Sequence, residues 1–494
     1  MKSLLLVCLL AGLPFVSLCA ELRINEFLAA NSESLTTADG AVEDWIEIYN
    51  SGPESVDLEG YYLTDDEGFT PEDPETFWQF PQIDLAADGY LIVFASGATE
   101  SVGDELHASF KLNSDGERLA LIAQDGLTIV TDFTPTFPDQ RRDISYGYRD
   151  DGTLQYADPP TPGAKNRNGV TGFVEDVTFS VKHGFHDAPF MLELTTATEG
   201  AEIVYTLDDR EAGSGTIFTG PVGDPYTEPI EITQTTIVRA VAKKTGMKDS
   251  VLRTQSYIFL DDVLGQPDQP DGFPEKWGSR NPDYGMDPDV VGPIYSNEEV
   301  KAALRSVPSI SLVTENDNLF ARDGIYTNSQ SKDLVNDGIL DKWERPVSVE
   351  LFGFPHGQTV QANAGIRLQG NASRSPNRVK HNMRVIFRSD YGPGKLNFRL
   401  FEDSEVSRFN SINLRSSNGD SWIHPGVRVR AQYIRDQWHR EVQRRMSMPN
   451  QSQIYAHVYI NGLYWGMYHV FERFEASLLS EHFGGDEEDW DALQ

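Results

Sequence analysis

The chain has 494 residues, of which 39% are hydrophobic and 11% aromatic. This apolar content suffices for several hydrophobic cores and argues against general disorder, and domains of about 100–200 residues divide the length into about two to four units. The formal net charge of −35 at pH 7 disfavours binding of nucleic acid or anionic lipid by the whole chain, because like charges repel.

Residues 1–20 have the pattern of a secretory signal peptide. Lys2 provides the positive start, residues 4–16 form an apolar run, and Ala20 is a small residue before polar sequence. The run is shorter than the roughly 20 residues that a helix needs to cross a bilayer, and no later segment is long or apolar enough to do so. We therefore predict export, with no transmembrane segment after the signal is cleaved.

Both cysteines of the chain, Cys8 and Cys19, lie in this amino-terminal segment. The mature chain is therefore predicted to contain no disulfide, no thiolate nucleophile and no cysteine-ligated zinc. Because the absence of cysteine is ordinary among exported bacterial proteins, we predict a bacterial protein that is secreted, periplasmic or located at the cell surface.

Residues 21–170 consist of short apolar-alternating runs separated by turn residues, which is the pattern of an antiparallel β-sandwich. Alternation places the acidic side chains of Asp44 and Glu47 on the solvent face rather than in a catalytic carboxylate pair. The chain resembles the lamin-tail domain at the motifs INEF (24–27), DWIEIYN (44–50) and VDLEGYYL (56–63). The resemblance implies an immunoglobulin-like sandwich that serves as a binding or spacer module.

Residues 171–262 repeat this strand signature and predict a second sandwich. AEIVYTLD (201–208) and TIVRAVA (236–242) resemble the small sandwich at the carboxyl end of chitobiases. That sandwich is an accessory module of its family, so the resemblance implies no glycosidase activity. Residues 263–300 are rich in proline and glycine and are predicted to form a linker.

Residues 301–494 change character, with strands such as 347–352, a long helix predicted over about 429–446 and a hairpin turn at Asn461-Gly462. Between positions 365 and 446 the chain has 16 basic and 7 acidic side chains, a local net charge of 16 − 7 = +9. This positive charge has two possible explanations. The arginine and lysine side chains hold an anionic ligand, or they form a solvated basic face that pairs with the acidic modules of the same chain. Charge alone leaves both explanations open.

A hairpin in this basic segment has features of a phosphate-binding site. GIRLQGNASR (365–374) is typical of a strand that runs into a turn of small residues, and KHNMRVIF (380–387) is typical of a returning strand. Such a turn exposes backbone N–H groups to phosphate oxygens, and a basic residue on the returning strand can reach the same phosphates, as in kinases. An ordinary β-hairpin is the alternative interpretation.

Several separated motifs resemble the kinase family of spore coat protein H, the CotH family. They are RLQGNASR (367–374), Lys380, FNSINLR (409–415), Asp420, Arg435-Asp436, YINGLYWGMY (459–468) and Glu472-Arg473. The resemblance implies an atypical protein-kinase-like fold that binds ATP with Mg²⁺ or Mn²⁺ and phosphorylates Ser or Thr of secreted proteins. The predicted fold class is therefore mainly β, with two immunoglobulin-like sandwiches followed by an α+β part, the amino-terminal part of such a kinase domain.

The resemblance also assigns roles to residues. Lys380 or Arg384 would contact the ATP phosphates, the turn from Gly370 would cover them, and Asp436 or Glu441 would orient the lysine. The predicted nucleotide-binding residues are Arg367, Gly370, Ser373, Arg374, Lys380, Arg384, Asp436 and Glu472. For each of them, an ion pair that holds a helix to the sheet is the alternative role.

The sequence departs from the family where catalysis is concerned. Phosphoryl transfer needs carboxylates at the nucleophile and at the metal, and in the family these lie beyond the hairpin, whereas this chain stops at Gln494. We therefore predict a fragment of a longer protein, with catalytic residues unidentified and no metal ligand assigned. The alternative function is that of a non-catalytic adhesion or scaffold protein of the cell surface. Expected partners are a secreted or surface protein substrate and, as a further candidate, surface polysaccharide.

Overall fold

A computed structural model describes residues 22–66, 77–98, 104–167, 169–207, 223–276, 281, 284–321, 324–326, 343–370, 373, 380–402, 404–421, 426–446, 450–485 and 489–491. The predicted signal peptide, with Cys8 and Cys19, lies outside these residues. The chain forms two compact units, one ending at Phe173 and including Gly246–Lys248, and one comprising Val174–Thr245 and the chain from Asp249. No helix in the described ranges is long and apolar enough to cross a membrane.

The first unit is a β-sandwich. Its strands are β1 (Leu22–Leu28), β2 (Asp44–Asn50), β3 (Val56–Asp57), β4 (Tyr62–Thr64), β5 (Trp78–Gln79), β6 (Asp84–Leu85), β7 (Tyr90–Ala95), β8 (Leu106–His107), β9 (Leu119–Ile122), β10 (Ile129–Phe133), β11 (Ser145–Tyr148), β12 (Leu154–Ala157) and β13 (Gly169–Val170). One sheet has the order β13-β12-β11-β1-β2-β7-β8, and a second has the order β10-β9-β4-β5. Aromatic rings fill the core around Phe27, which packs against Phe133 and Phe137 with ring centroids 5.1 and 4.7 Å away.

Two carboxylates are fully buried in this sandwich, contrary to the expectation that Glu47 faces solvent. Glu26 on β1 and Glu47 on β2 are paired residues, and both have zero exposed surface. The backbone N–H and hydroxyl of Thr161 donate to Glu26, at 3.0 and 2.8 Å, and the N–H of Gly163 donates to Glu47. The prediction was wrong because the loop that carries Thr161 and Gly163 covers this face of the sheet.

The second unit begins with another sandwich. Its strands are β14 (Thr178–Phe179), β15 (Gly184–His186), β16 (Phe190–Leu192), β17 (Leu194–Thr195), β18 (Glu202–Leu207), β19 (Asp224–Pro225), β20 (Ile230–Ile232), β21 (Thr236–Lys243) and β22 (Arg253–Phe259). Its largest sheet has the order β15-β22-β21-β18-β19.

The rest of the second unit contains a closed barrel with flanking helices. Its elements are α1 (Leu260–Leu264), α2 (Asn297–Ser306), β23 (Ser309–Val313), α3 (Asn316–Phe320), β24 (Arg345–Phe352), β25 (Val360–Leu368), β26 (Met383–Ile386), β27 (Leu396–Asn397), β28 (Arg408–Phe409), β29 (Ser411–Arg415), α4 (Arg435–Arg445), β30 (Gln453–Ile460), β31 (Leu463–Glu472) and α5 (Ala476–Phe483). The barrel order is β23-β24-β25-β26-β29-β31-β30. It closes because β23 pairs with β24 on one side and, in parallel, with β30 on the other.

Alternation along the barrel strands separates an apolar interior from a polar exterior. On β24, Val347, Val349 and Leu351 belong to the hydrophobic core, whereas Glu350 faces the second sandwich. There the carboxylate of Glu350 is fully buried and accepts hydrogen bonds from the backbone N–H of Ser256, at 2.7 Å, and from its hydroxyl. Burial raises the pKa of Glu350. Sandwich and barrel therefore share a buried polar contact.

The proline- and glycine-rich segment predicted as a linker contributes to the barrel core. Tyr284 is 8% exposed and belongs to the core cluster, where its ring lies 5.8 Å from that of Trp465 and 5.7 Å from that of Phe273. Its hydroxyl donates to the carbonyl of Pro274 at 3.1 Å. The predicted domain boundaries themselves stay a prediction, but this segment contributes an anchoring side chain to the core.

The helix predicted over 429–446 is shorter in the structure. It begins at Arg435, after a separate 3₁₀ turn at Arg428–Arg430. Tyr433 has a φ of +64°, which breaks a right-handed helix, and the carboxylate of Asp420 accepts a hydrogen bond from the N–H of Gln432 at 3.0 Å. The predicted mainly β fold, with an α+β carboxyl-terminal part, is confirmed.

Candidate functional site

The predicted phosphate-binding hairpin is present as strands β25 and β26. Arg367 stands opposite Arg384 in their register, between pairs of core residues that point into the barrel. Because neighbouring residues of a strand point to opposite faces, both guanidinium groups project from the outer surface of the barrel. The structure therefore brings together two of the predicted site residues.

These two arginines belong to an outer arginine cluster, which we define as Arg367, Arg384 and Arg473. Arg384 is 9% exposed, and its guanidinium donates to both carboxylate oxygens of Glu475, at 3.1 and 3.2 Å. Arg473 forms an ion pair with the same carboxylate at 2.7 Å. Burial lowers the pKa of Arg384 to about 10, against the attraction of Glu475. The cluster is thus partly neutralised from within the chain.

The Nε of Arg384 makes no hydrogen bond within the part of the chain that the structure describes. A buried N–H without an acceptor is costly. Glu475, which the sequence analysis missed, supplies the counter-charge of this arginine.

The turn after β25 is held by its own hydrogen bonds. Gly370 has a φ of +82°, a conformation that favours glycine, and the hydroxyl of Ser373 donates to the carbonyl of Gln369. The Nδ1 of His381 donates to the carbonyl of Ser373, and burial lowers the pKa of this histidine to about 4, which keeps its ring neutral. Arg374 lies outside the described residues. Gly370 and Ser373 are therefore parts of one braced turn.

Lys380 lies at a different place from the outer arginine cluster. Its ammonium group rests against Gly466 on β31, so closely that a Cβ at that glycine would overlap the Nζ atom. Gly466 stands opposite Val458 and next to Trp465, both core residues. Lys380 therefore approaches the barrel from the end of its core, whereas Arg367 and Arg384 project outward.

The acidic residues predicted near the nucleotide make local contacts. Glu472 is 3% exposed and accepts from the N–H of Ser452 at 2.7 Å and from Nε2 of His482 at 2.9 Å. This hydrogen bond raises the pKa of His482. Asp436 on α4 pairs with Arg415 on β29 at 2.8 Å. These contacts fasten helices α4 and α5 to the sheet.

Glu441, the other candidate partner of the lysine, is bound on its own helix. Its carboxylate pairs with Arg444 and Arg445, at 3.0 and 2.6 Å, on the exposed face of α4. Within the described ranges no three His, Asp or Glu side chains come together as a possible metal site. These residues by themselves do not fit a bound Mg²⁺ or Mn²⁺ ion.

Comparison with protein families gives three matches, in the predicted order. Residues 17–135 match the lamin tail domain, residues 181–254 the chitobiase/β-hexosaminidase C-terminal domain, and residues 366–493 the CotH kinase protein. The three predicted resemblances are confirmed. No curated protein sequence matches the chain.

Proposed function

We propose that the part of the chain matched to the CotH family forms the nucleotide-binding half of a protein kinase that acts outside the cytoplasm. Its substrates would be ATP, accompanied by Mg²⁺ or Mn²⁺, and Ser or Thr side chains of secreted or surface proteins. In the transfer, the acceptor oxygen bonds to the γ-phosphorus, the bond from that phosphorus to the β–γ bridging oxygen breaks, ADP leaves, and the hydroxyl proton passes to a base. The observation that carries the proposal is the position of Lys380 beside the braced turn and against Gly466.

This arrangement has a physical rationale. Phosphoryl transfer relies on positioned cations and backbone N–H groups more than on covalent chemistry by the protein. Gly466 leaves space for the ammonium group of Lys380, and any larger side chain at that position would fill this space. The lysine therefore reaches the end of the barrel as a compact point charge. Lys380 is therefore our candidate for the phosphate contact.

ATP affinity of the whole chain tests this assignment. Lys380→Ala should weaken ATP binding about tenfold or more, the loss expected for one charge-assisted contact. Lys395→Ala is the matched control, because it removes the same charge from a lysine that pairs with Glu481 at 3.0 Å. It should leave the affinity within about twofold. Equal affinities of wild type and Lys380→Ala, measured by calorimetry, would remove Lys380 from the site.

A second candidate function is that of a non-catalytic adhesion or scaffold protein. The observation in its favour is that Glu472 and Asp436, both predicted near the nucleotide, serve as fasteners between helices and sheet. Incubation with radiolabelled ATP, Mn²⁺ and a serine-rich acceptor separates the two functions. Label in the acceptor supports the kinase, and the absence of both label transfer and ATP binding supports the scaffold.

A further inference from the structure

A polar cleft of about 350 Å³ lies in the second unit, where four segments distant in sequence meet, one of them α3 with Asn316. We call it the amide cleft. The turn before β21 contributes Gln234, the segment after α1 contributes Gln269 and Asp271, and the tip of the β30–β31 hairpin contributes Asn461. This volume lies at the lower end of the range of about 300–1,000 Å³ that small-molecule sites occupy. None of its described lining residues belongs to the hairpin that carries Lys380.

The walls of the amide cleft are fixed by hydrogen bonds between these segments. The N–H of Thr235 donates to Asp262 at 2.6 Å, and the side chain of Asn461 donates to that of Asn316 at 2.7 Å. Asn316 in turn donates to the carbonyl of Gly272 at 3.2 Å. A site whose walls are already ordered loses little conformational entropy when a ligand binds.

Other lining groups are left for a ligand. The side chains of Gln234, Gln269 and Asp271 are exposed and make no hydrogen bond to any described residue. Amides both donate and accept hydrogen bonds, and a carboxylate accepts them from hydroxyl groups. Phe273 and Pro270 add apolar surface beside these polar groups. Such a lining can contact a ligand in which hydroxyl groups alternate with C–H faces.

The charge of the lining decides against anionic ligands. Asp262 and Asp271 line the cleft, and no lysine, arginine or histidine is among its described lining residues. A phosphate, sulfate or carboxylate would be repelled there, so the amide cleft is unsuited to nucleotides or acidic sugars. We propose that it binds a neutral saccharide, through hydrogen bonds with the side chains of Gln234, Gln269 and Asp271 and contact of a sugar face with Phe273. This site is independent of the proposed kinase activity.

Saccharide binding by the whole chain tests the proposal. An array of neutral oligosaccharides of glucose, galactose, mannose and N-acetylglucosamine should reveal a ligand, whose affinity is then measured by calorimetry. Replacing both Gln269 and Asp271 by alanine should weaken that ligand about tenfold or more, since it removes two hydrogen-bonding groups. Gln234→Trp, which places a large ring at the opening, should have the same effect by obstruction.

The controls separate a site from general surface binding. Glu275→Ala changes an exposed residue of the same segment outside the lining and should keep the affinity within about twofold. Thermal unfolding of each variant shows whether its fold is intact. Absence of any bound neutral oligosaccharide, equal affinity of the double variant, or preference for a neutral peptide over every oligosaccharide would each overturn the proposal.

Discussion

The buried carboxylate of Glu47 should make the first sandwich less stable as the pH rises. Burial raises the pKa of Glu47 from 4.5 to about 7, and the charge of Glu26 adds to the rise, against hydrogen bonds from Asn25 and Gly163. Between pH 4.5 and 7 the folded chain holds a proton that the unfolded chain has released. Unfolding then releases a proton, so the free energy of unfolding falls with increasing pH.

The magnitude follows from the two pKa values. The two values differ by 7 − 4.5, and each pKa unit corresponds to about 1.36 kcal/mol. The free energy of unfolding should therefore fall by about 3 kcal/mol between pH 4.5 and values above 7. That is a large share of the roughly 5–15 kcal/mol that stabilises a typical domain. Glu47→Gln removes the titrating group and should therefore remove this part of the pH dependence.

Hydrogen exchange measured by mass spectrometry can follow this effect in the intact chain. After correction for intrinsic exchange rates, the opening free energy of peptides covering β2 should be lower at pH 8 than at pH 5. Asp44 titrates in the same window, because burial raises its pKa to about 6, so the informative quantity is wild type minus Glu47→Gln. Glu59→Gln, an exposed change in the same sandwich, is the control. An identical pH slope in wild type and Glu47→Gln would refute the reasoning.

Two further predictions concern the second unit. Tyr284→Ala should lower the free energy of unfolding of this unit by about 3–5 kcal/mol, because it deletes a buried ring from the barrel core. Urea unfolding measures the loss, with Glu275→Ala as the control. A loss under about 1 kcal/mol would contradict the prediction. The raised pKa of His482 means that its bond to Glu472 stabilises α5 fully below pH 6.5 and less as the pH rises through the folded pKa. Hydrogen exchange of α5 should show this decline in wild type and not in His482→Gln.

Local features of the fold were predictable because local chemistry determines them. The Asn461-Gly462 turn joins β30 and β31 as predicted, with φ values of +46° and +76° that suit a two-residue hairpin loop. The hairpin of β25 and β26 also forms in the predicted place. In both cases a turn signal lies between two strands that are neighbours along the chain.

Features that depend on distant segments were not predictable. Glu47 is buried because Gly163, 116 residues away, covers it, and Arg384 finds its partner Glu475 across 91 residues. An isolated Tyr284 among prolines and glycines gives no periodic signal, although it anchors the barrel core. The placement of Lys380 depends on a glycine in another hairpin, Gly466.

For the proposed kinase, the closure of the barrel would restrict how an acceptor protein is recognised. Since β23 is hydrogen-bonded to neighbours on both sides, the described barrel sheet has no first or last strand. A peptide therefore finds no edge strand of the described barrel to extend, although extending an edge strand is a common mode of peptide capture. Selectivity for one acceptor over another would have to come from side chains of the loops and of α4 and α5, which makes those surfaces the place to seek specificity.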